Sequence, residues 1–216
     1  MNALIVTAHP EVKSFNFALR NIASRILESE GIEVQVSDLY QMPFMPAAGA
    51  ADFRSYAYET PLQLMKAQAA NKLYGGYRSD ILEEQAKLTW ADLIIFQFPI
   101  WWGTYPAVLK GWMERVLTYG FAYGGNKELQ PKSALLTVTT GGARDKKEEH
   151  SYKERIDRMT GDVFGFMGWE IHTPFIVHGP SYLNEEERIL MLKKYENYLK
   201  NCIKSCVINN PAVKNF

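Results

Sequence analysis

Residues 93–117, LIIFQFPIWWGTYPAVLKGWMERVL, decide the fold class. The segment starts with the run Leu93 to Phe98, which is apolar at nearly every position, as in parallel strands covered on both faces. Pro106 then stands where a first helical turn begins. Behind it, apolar residues recur at helical spacing at Val108, Leu109, Trp112, Met113, Val116 and Leu117. The segment therefore predicts a buried strand, a loop and an amphipathic helix.

The same alternation extends in both directions along the chain. Ser14 and Gly31 bound a helix-like stretch near the start, and Asn184 and Glu187 form a capping-box pattern before the last helix. The alternation predicts an α/β fold, a doubly wound parallel sheet with helices on both faces, in a single domain spanning 1–216. The other strand-like runs are Leu4 to Ala8, Ile32 to Leu39, Ala134 to Thr139 and Trp169 to Val177.

Two segments depart from this rhythm. Residues 47–79 are predicted to be an insertion of loop and short helix, with tyrosines Tyr56, Tyr58, Tyr74 and Tyr77 suited to covering a partner subunit's site. Residues 207–216 are expected to form a flexible tail.

Composition excludes several classes of protein. The 216 residues are 47% hydrophobic and carry a formal net charge of zero, so there is no basic surplus for nucleic acid or an anionic membrane surface. The first apolar stretch breaks at His9 and Pro10, far short of a membrane span, which predicts a cytoplasmic protein without membrane insertion. The two cysteines, Cys202 and Cys206, form neither a disulfide framework nor a thiol metal site, and no metal is expected.

Three loops that follow strands are the candidate site, because ligands of doubly wound sheets bind outside the carboxyl ends of the strands. The first, AHPEVKSFN at 8–16, leads into a helix whose N–H groups offer an anion site beside Ser14 and Asn16. The dinucleotide pattern G-x-G-x-x-G and the P-loop are both absent. Alone, this loop is equally consistent with Ser14 acting only as a helix cap.

The second and third loops suit a flat ring system. Trp101, Trp102 and Gly103 offer apolar planes and main-chain donors, as a flavin requires, although the same tryptophans are consistent with a core or an interface. The third loop, TTGGARDKKEEHSY from Thr139, lets the main chain approach a ligand closely, or simply forms a glycine turn. All three loops are expected to meet at one rim.

Several motifs, in this order along the chain, resemble the flavodoxin-like NAD(P)H:quinone oxidoreductases, the DT-diaphorase type and its bacterial relatives. They are AHPEVKSFNFAL, VSDLYQMPF, ILEEQAKLTWADLIIFQFPIWW, PAVLKGWMERVLTYGFAYG and TTGG. The resemblance implies a flavodoxin-like five-stranded sheet and a homodimer that binds FAD or FMN. It also implies that NADH or NADPH reduces the flavin, which then passes two electrons to a quinone-like acceptor in a ping-pong reaction.

The resemblance also assigns residues. It implies substrate contacts for Tyr119, Phe121 and Tyr123. It implies flavin contacts for His9, Ser14, Phe15, Asn16, Gln63, Pro99, Ile100, Trp101, Trp102, Gly103, Thr139, Thr140, Gly141, Gly142 and Arg188.

The chain departs from the family's pattern after Gly142. The family has there a tyrosine followed by a histidine, a pair that assists hydride transfer, whereas this chain has His150 before Tyr152. These two residues are the predicted catalytic pair, and a solvated surface histidine is the competing interpretation. Three alternative functions stay open: an azo- or nitro-compound reductase, a flavin-binding ancillary subunit of a potassium efflux system, and an electron carrier.

Overall fold

The structure is a computed structural model that describes residues 1–57 and 61–209. The strands are β1 (Asn2–Thr7), β2 (Glu33–Asp38), β3 (Leu93–Pro99), β4 (Ser133–Thr140), β5 (Glu170–Ile171) and β6 (Phe175–His178). The α-helices are α1 (Phe15–Ser29), α2 (Leu64–Ala69), α3 (Ser79–Trp90), α4 (Ala107–Val116), α5 (Lys146–Thr160) and α6 (Glu185–Asn209). Short 3-10 turns cover Ala50–Asp52 and Asn71–Tyr74, and a π turn, Gly161–Gly165, follows α5.

The sheet is parallel throughout, in the order β2-β1-β3-β4-β5, with β6 also paired to β4. This is the strand order of flavodoxin-like folds, as predicted. The predicted fifth strand is split, because the chain follows β4 as far as His172, whose N–H donates to the Ala134 carbonyl at 2.9 Å, and pairs with β4 again only from Phe175. Pro174 lacks the N–H that a continuous ladder needs at this point.

Helices cover both faces of the sheet. One core packs α1 and α6 against the sheet through residues such as Leu19, Ile26 and Tyr195. The other packs α3, α4 and α5 against the opposite face through residues such as Leu88 and Trp112. With both faces covered, the carboxyl edge of the sheet is where the loops after the strands gather.

The insertion at 47–79 is anchored to α4 by a buried ion-pair cluster. The guanidinium of Arg115 donates to Asp52 Oδ1 and Asp80 Oδ2, each at 2.7 Å, and to the Met45 carbonyl. Tyr77 is buried, and Tyr56 and Tyr74 are partly buried, in an aromatic cluster around Phe53 rather than spread over the surface. Tyr58 lies outside the described residues.

The last helix starts as predicted. Asn184 Oδ1 accepts from the N–H of Glu187 at 3.0 Å, and Glu187 Oε2 accepts from the N–H of Asn184 at 2.9 Å. The helix continues to Asn209, and the rest of the predicted tail, residues 210–216, lies outside the described part. Within the described residues, the helices are all too short or too polar to cross a membrane.

Candidate active site

The loops after β1, β3 and β4 meet at the carboxyl edge of the sheet. Asn16, in the first turn of α1, donates through Nδ2 to Thr139 Oγ1 at 2.8 Å, and the N–H of Ile100 donates to the Thr139 carbonyl at 2.8 Å. The rings of His9 and Trp101 lie 5.9 Å apart, centroid to centroid. Thus each of the three loops contacts another of the three.

A cavity of about 460 Å³ opens between the first loop and α6. Ser14 caps α1 and lines the cavity, so the cavity lies at the N-terminus of this helix. The N–H groups of the first helical turn point toward that end. Lys13 and Arg188 add positive charge, and the lining includes no Asp or Glu. Such a cavity suits an anionic ligand. Its lining residues are His9, Lys13, Ser14, Phe15, Asn16, Ala18, Thr139, Pro180, Ser181, Arg188 and Leu192.

Buried polar atoms at this edge lack partners. Among the described residues, the buried side-chain atoms without a hydrogen bond are Thr7 Oγ1, Asn16 Oδ1 and Gln97 Oε1. Thr7 and Gln97 are register partners on neighbouring strands, and Gln97 Nε2 donates to the Asn16 carbonyl. Unsatisfied buried polar groups are rare in folded proteins, and here they cluster beside the cavity.

The tryptophan loop forms a tight turn. Trp101 and Thr104 exchange backbone hydrogen bonds at 3.2 and 3.0 Å. Between them, Trp102 has φ of 50° and Gly103 has φ of 76°, a conformation that disfavours any residue with a Cβ. Trp101 is 38% exposed and Trp102 is fully exposed at 103%. The turn therefore exposes the large apolar ring of Trp102 to water, on a strained backbone. Packing within this chain does not explain either feature.

The third loop is tied to the end of β6. Thr140 Oγ1 lies 3.0 Å from His178 Nδ1 and accepts from the N–H of Gly142 at 3.3 Å. Gly142 has φ of 139°, and the exposed ring of Tyr182 lies over Gly142 and Gly179. The positive φ of Gly142 favours glycine there, whereas at Gly179 a Cβ would stand only 2.9 Å from the Tyr182 ring.

The two predicted catalytic residues lie on α5 and differ in their surroundings. Tyr152 is partly buried, and its ring centroid is 5.5 Å from that of His178. The imidazole of His150 is largely exposed, 3.3 Å from Glu154 Oε1, and lines a cleft with Lys146 and His178. The structure therefore brings the Tyr152 ring against His178 at the end of β6, while the exposed His150 lines a cleft beside the same histidine.

Burial lowers the pKa of two histidines at this edge. Desolvation is the main cause for His9, and the contact with Glu11 partly offsets it. Desolvation also dominates for His178, where Glu149 raises and Lys146 lowers the pKa. His9 Nδ1 accepts from the N–H of Glu11 at 3.0 Å, so its other ring nitrogen carries the proton in the neutral form. Both imidazoles are therefore biased toward the neutral state.

Several of the predicted site residues lie away from the cavity beside Ser14. Gln63 is exposed at the start of α2, in the insertion, and does not line the cavity. Phe121 is buried in the core. Tyr119 packs edge-on against Tyr123, and Tyr123 lines an apolar cleft with Phe166. This aromatic cleft shares no lining residue with the cavity beside Ser14.

Three residues of the site escaped the sequence analysis. His178 ends the last strand and Tyr182 follows it, so the rule that ligands bind at strand ends predicts both once β6 is placed correctly. Arg155 lies with its guanidinium against Gly103. No local pattern marks Arg155, because only the packing of α5 brings it there.

Comparison with known proteins gives a consistent result. A family model described as a flavodoxin-like fold matches residues 1–199. The ribosyldihydronicotinamide dehydrogenase [quinone] of Rattus norvegicus is 38% identical over 209 residues, covering 92% of this chain and 90% of the relative. NAD(P)H dehydrogenase [quinone] 1 of the same species is 34% identical, covering 92% of this chain and 76% of the relative. The crystal structure of a putative quinone reductase from Klebsiella pneumoniae has a TM-score of 0.82 and 32% identity, covering 94% of this chain and 85% of that one.

Proposed function

Because this chain belongs to the flavodoxin-like family that its comparisons identify, we propose that it is a flavin-dependent NAD(P)H:quinone oxidoreductase. One observation carries the proposal. The three loops after β1, β3 and β4 contact one another at one edge of the sheet, where a strained, exposed tryptophan turn lies next to the loop that lines a carboxylate-free cavity. The named relatives are quinone dehydrogenases, which supports the same chemistry here.

The residues present fit a bound flavin. The start of α1, Lys13 and Arg188 suit phosphate groups, because helix N–H groups and cations stabilise negative charge. The amide oxygen of Asn16 has no hydrogen-bond partner, while its NH₂ group donates to Thr139. If the amide is turned over, the Thr139 hydroxyl donates to the amide oxygen, and the NH₂ group becomes free to donate to a phosphate oxygen. The cavity and the residues thus agree with an anionic cofactor.

Within this proposal, FAD is favoured over FMN. The cavity extends past the start of α1 to Arg188 and Leu192 on α6, beyond what a single phosphate needs. Leu192, Ala18 and Phe15 provide apolar surface there for an adenosine half.

A bound flavin would supply the redox chemistry, which is the transfer of two electrons from a reduced nicotinamide to a quinone. Trp101 and Trp102 would provide apolar planes for the ring of a bound flavin, and the main chain of Thr140 to Gly142 would offer hydrogen bonds to its polar atoms. Both substrates use one exposed rim in turn, which is the basis of a ping-pong order. Tyr152 is the proton-handling group that the geometry favours, because its ring packs against His178, which is hydrogen-bonded to Thr140. His150 stays a prediction, since it lines a cleft with His178 but is largely exposed and forms its ion pair with Glu154.

A homodimer completes the proposal. Tyr123 and Phe166 line an apolar cleft that is separate from the cavity of the same chain, so a second copy is needed if this cleft is to close the quinone site. A cytoplasmic location is also proposed, and the free thiols Cys202 and Cys206 suit a reducing compartment.

The test uses the purified 216-residue protein. A flavin absorbance spectrum with about one flavin per chain, FAD on mass analysis of the released cofactor, and rapid oxidation of NADH or NADPH with menadione are expected. Sedimentation at a defined concentration reports the dimer. A colourless protein that takes up neither FAD nor FMN would refute the proposed function.

A further inference from the structure

Arg155 differs from several other cationic residues at α5. Lys146, His150 and Lys153 each lie within ion-pair distance of a carboxylate three or four residues further along the helix. Arg155 has Ser151, Tyr152, Arg158 and Met159 at those spacings, none of them acidic. Among the described residues, no carboxylate forms an ion pair with Arg155.

The guanidinium of Arg155 lies instead over the tryptophan turn. A Cβ built on Gly103 would stand 2.5 Å from Arg155 Nη1 and 3.5 Å from its Cζ, so the group rests on the backbone of Gly103. The Arg155 Cζ atom is also 5.9 Å from the ring centroid of Tyr152. These contacts hold the charge at the rim formed by the tryptophan turn and Tyr152, while the residue stays exposed.

We infer that Arg155 is a specificity residue that binds the diphosphate of the nicotinamide donor. This inference rests on the proposed function. A guanidinium presents a planar fork of donors that matches phosphate oxygens, and it stays charged at any working pH. Because no protein carboxylate neutralises it and the group is open to solvent, an incoming anion is its natural partner. Arg155 therefore raises kcat/KM for donors that carry phosphates and not for donors that lack them.

A structural role is the competing explanation and makes a different prediction. If the guanidinium only supported the turn, its loss would affect every donor equally. A role in neutralising charge on the reduced flavin would likewise be independent of the donor's phosphates. The choice of donor therefore separates these roles from the inferred one.

The experiment compares NADH, which carries a diphosphate, with dihydronicotinamide riboside, which carries none, as reductants of the FAD-loaded protein. Arg155→Met is expected to lower kcat/KM for NADH about 10- to 100-fold, because it removes a charge-assisted hydrogen bond to the diphosphate, and the loss of one such bond changes affinity by about that factor. It should leave kcat/KM for the riboside within about twofold. Calorimetric titration with NAD⁺, which needs no turnover, should show a comparable loss of affinity.

Arg158→Met is the matched control, since it removes the same charge from an exposed site on α5 that does not contact Gly103. It should change neither donor by more than about twofold. Arg155→Lys should recover only part of the NADH rate, because an ammonium lacks the planar fork.

Equal losses with both donors, or no loss with either, would overturn the inference. A wild-type protein that binds flavin but is reduced by neither donor would instead count against the proposed function. In that case, NAD⁺ affinity in Arg155→Met still decides whether Arg155 binds the diphosphate.

Discussion

The two edges of the sheet each carry a cavity, and they differ in what surrounds it. At the amino edge, Met1, Asp92, Lys132, Ser133 and other residues enclose about 510 Å³. At the carboxyl edge, the cavity beside Ser14 is smaller, about 460 Å³. Cavity volume alone would therefore favour the amino edge, although ligands of such sheets bind at the carboxyl edge.

Polar groups at the amino edge are paired. Asp92 Oδ2 accepts from the N–H of Asn2 at 2.9 Å, and Lys132 Nζ donates to the Thr89 carbonyl at 3.0 Å. Ser133 Oγ donates to Glu170 Oε2 at 3.2 Å. These contacts close the ends of the strands and leave little for a ligand to satisfy.

At the carboxyl edge, by contrast, buried oxygens lack partners, the backbone of Trp102 is strained and a guanidinium rests on Gly103 without a carboxylate. The unpaired buried oxygens and the strained backbone each cost free energy in the protein alone, whereas the exposed guanidinium is solvated and free to bind an anion. Their concentration at one edge marks the site better than the size of either cavity does.

The largest expected effect comes from placing a carboxylate in each cavity by an isosteric change. Asn16→Asp should weaken FAD binding about 100-fold, because it puts negative charge beside the phosphates. Gln130→Glu makes the same chemical change in a residue lining the amino-edge cavity, and it should leave FAD affinity within about twofold.

Fluorescence titration of the apoprotein with FAD measures both affinities, and thermal unfolding of each apoprotein separates binding from loss of folding. A similar weakening by both variants would remove the distinction between the two edges.

A smaller effect concerns strain in the tryptophan turn. Trp102→Gly and Trp102→Ala both remove an exposed indole, but only glycine is relaxed at φ of 50°. The glycine variant should be more stable than the alanine variant by about 1 kcal/mol in chemical denaturation of the apoprotein. Equal stability of the two would mean that the backbone at Trp102 is not strained.

The smallest expected effect is on the pH dependence of stability. A histidine whose pKa is lower in the folded state binds fewer protons when folded, so acidification favours unfolding. For His9 and His178, stability should fall as pH drops from about 6.5 through the lowered pKa values, and it should be regained above about 6.5. The double variant H9Q/H178Q should flatten this part of a curve of unfolding free energy against pH. An unchanged curve would show that neither imidazole is desolvated.

Local sequence patterns predicted most of the fold. The apolar runs at β1, β3 and β4 and the caps at Ser14 and Asn184 depend on neighbours in the chain, and the structure has them within about two residues. The split of the fifth strand was missed, because Pro174 interrupts a run whose composition is otherwise that of one strand.

The three strand-end loops were likewise predictable, since parallel strands place their carboxyl ends at one edge of the sheet. The sequence by itself thus determined the sheet, its helices and the edge at which a ligand belongs, because periodicity and capping are local properties. Only the tertiary structure decided that Tyr152 meets His178, that His150 lies exposed beside Glu154 and that Arg155 rests on Gly103. These contacts join residues far apart in the chain, and they depend on how α5 packs across the sheet, which no local pattern encodes.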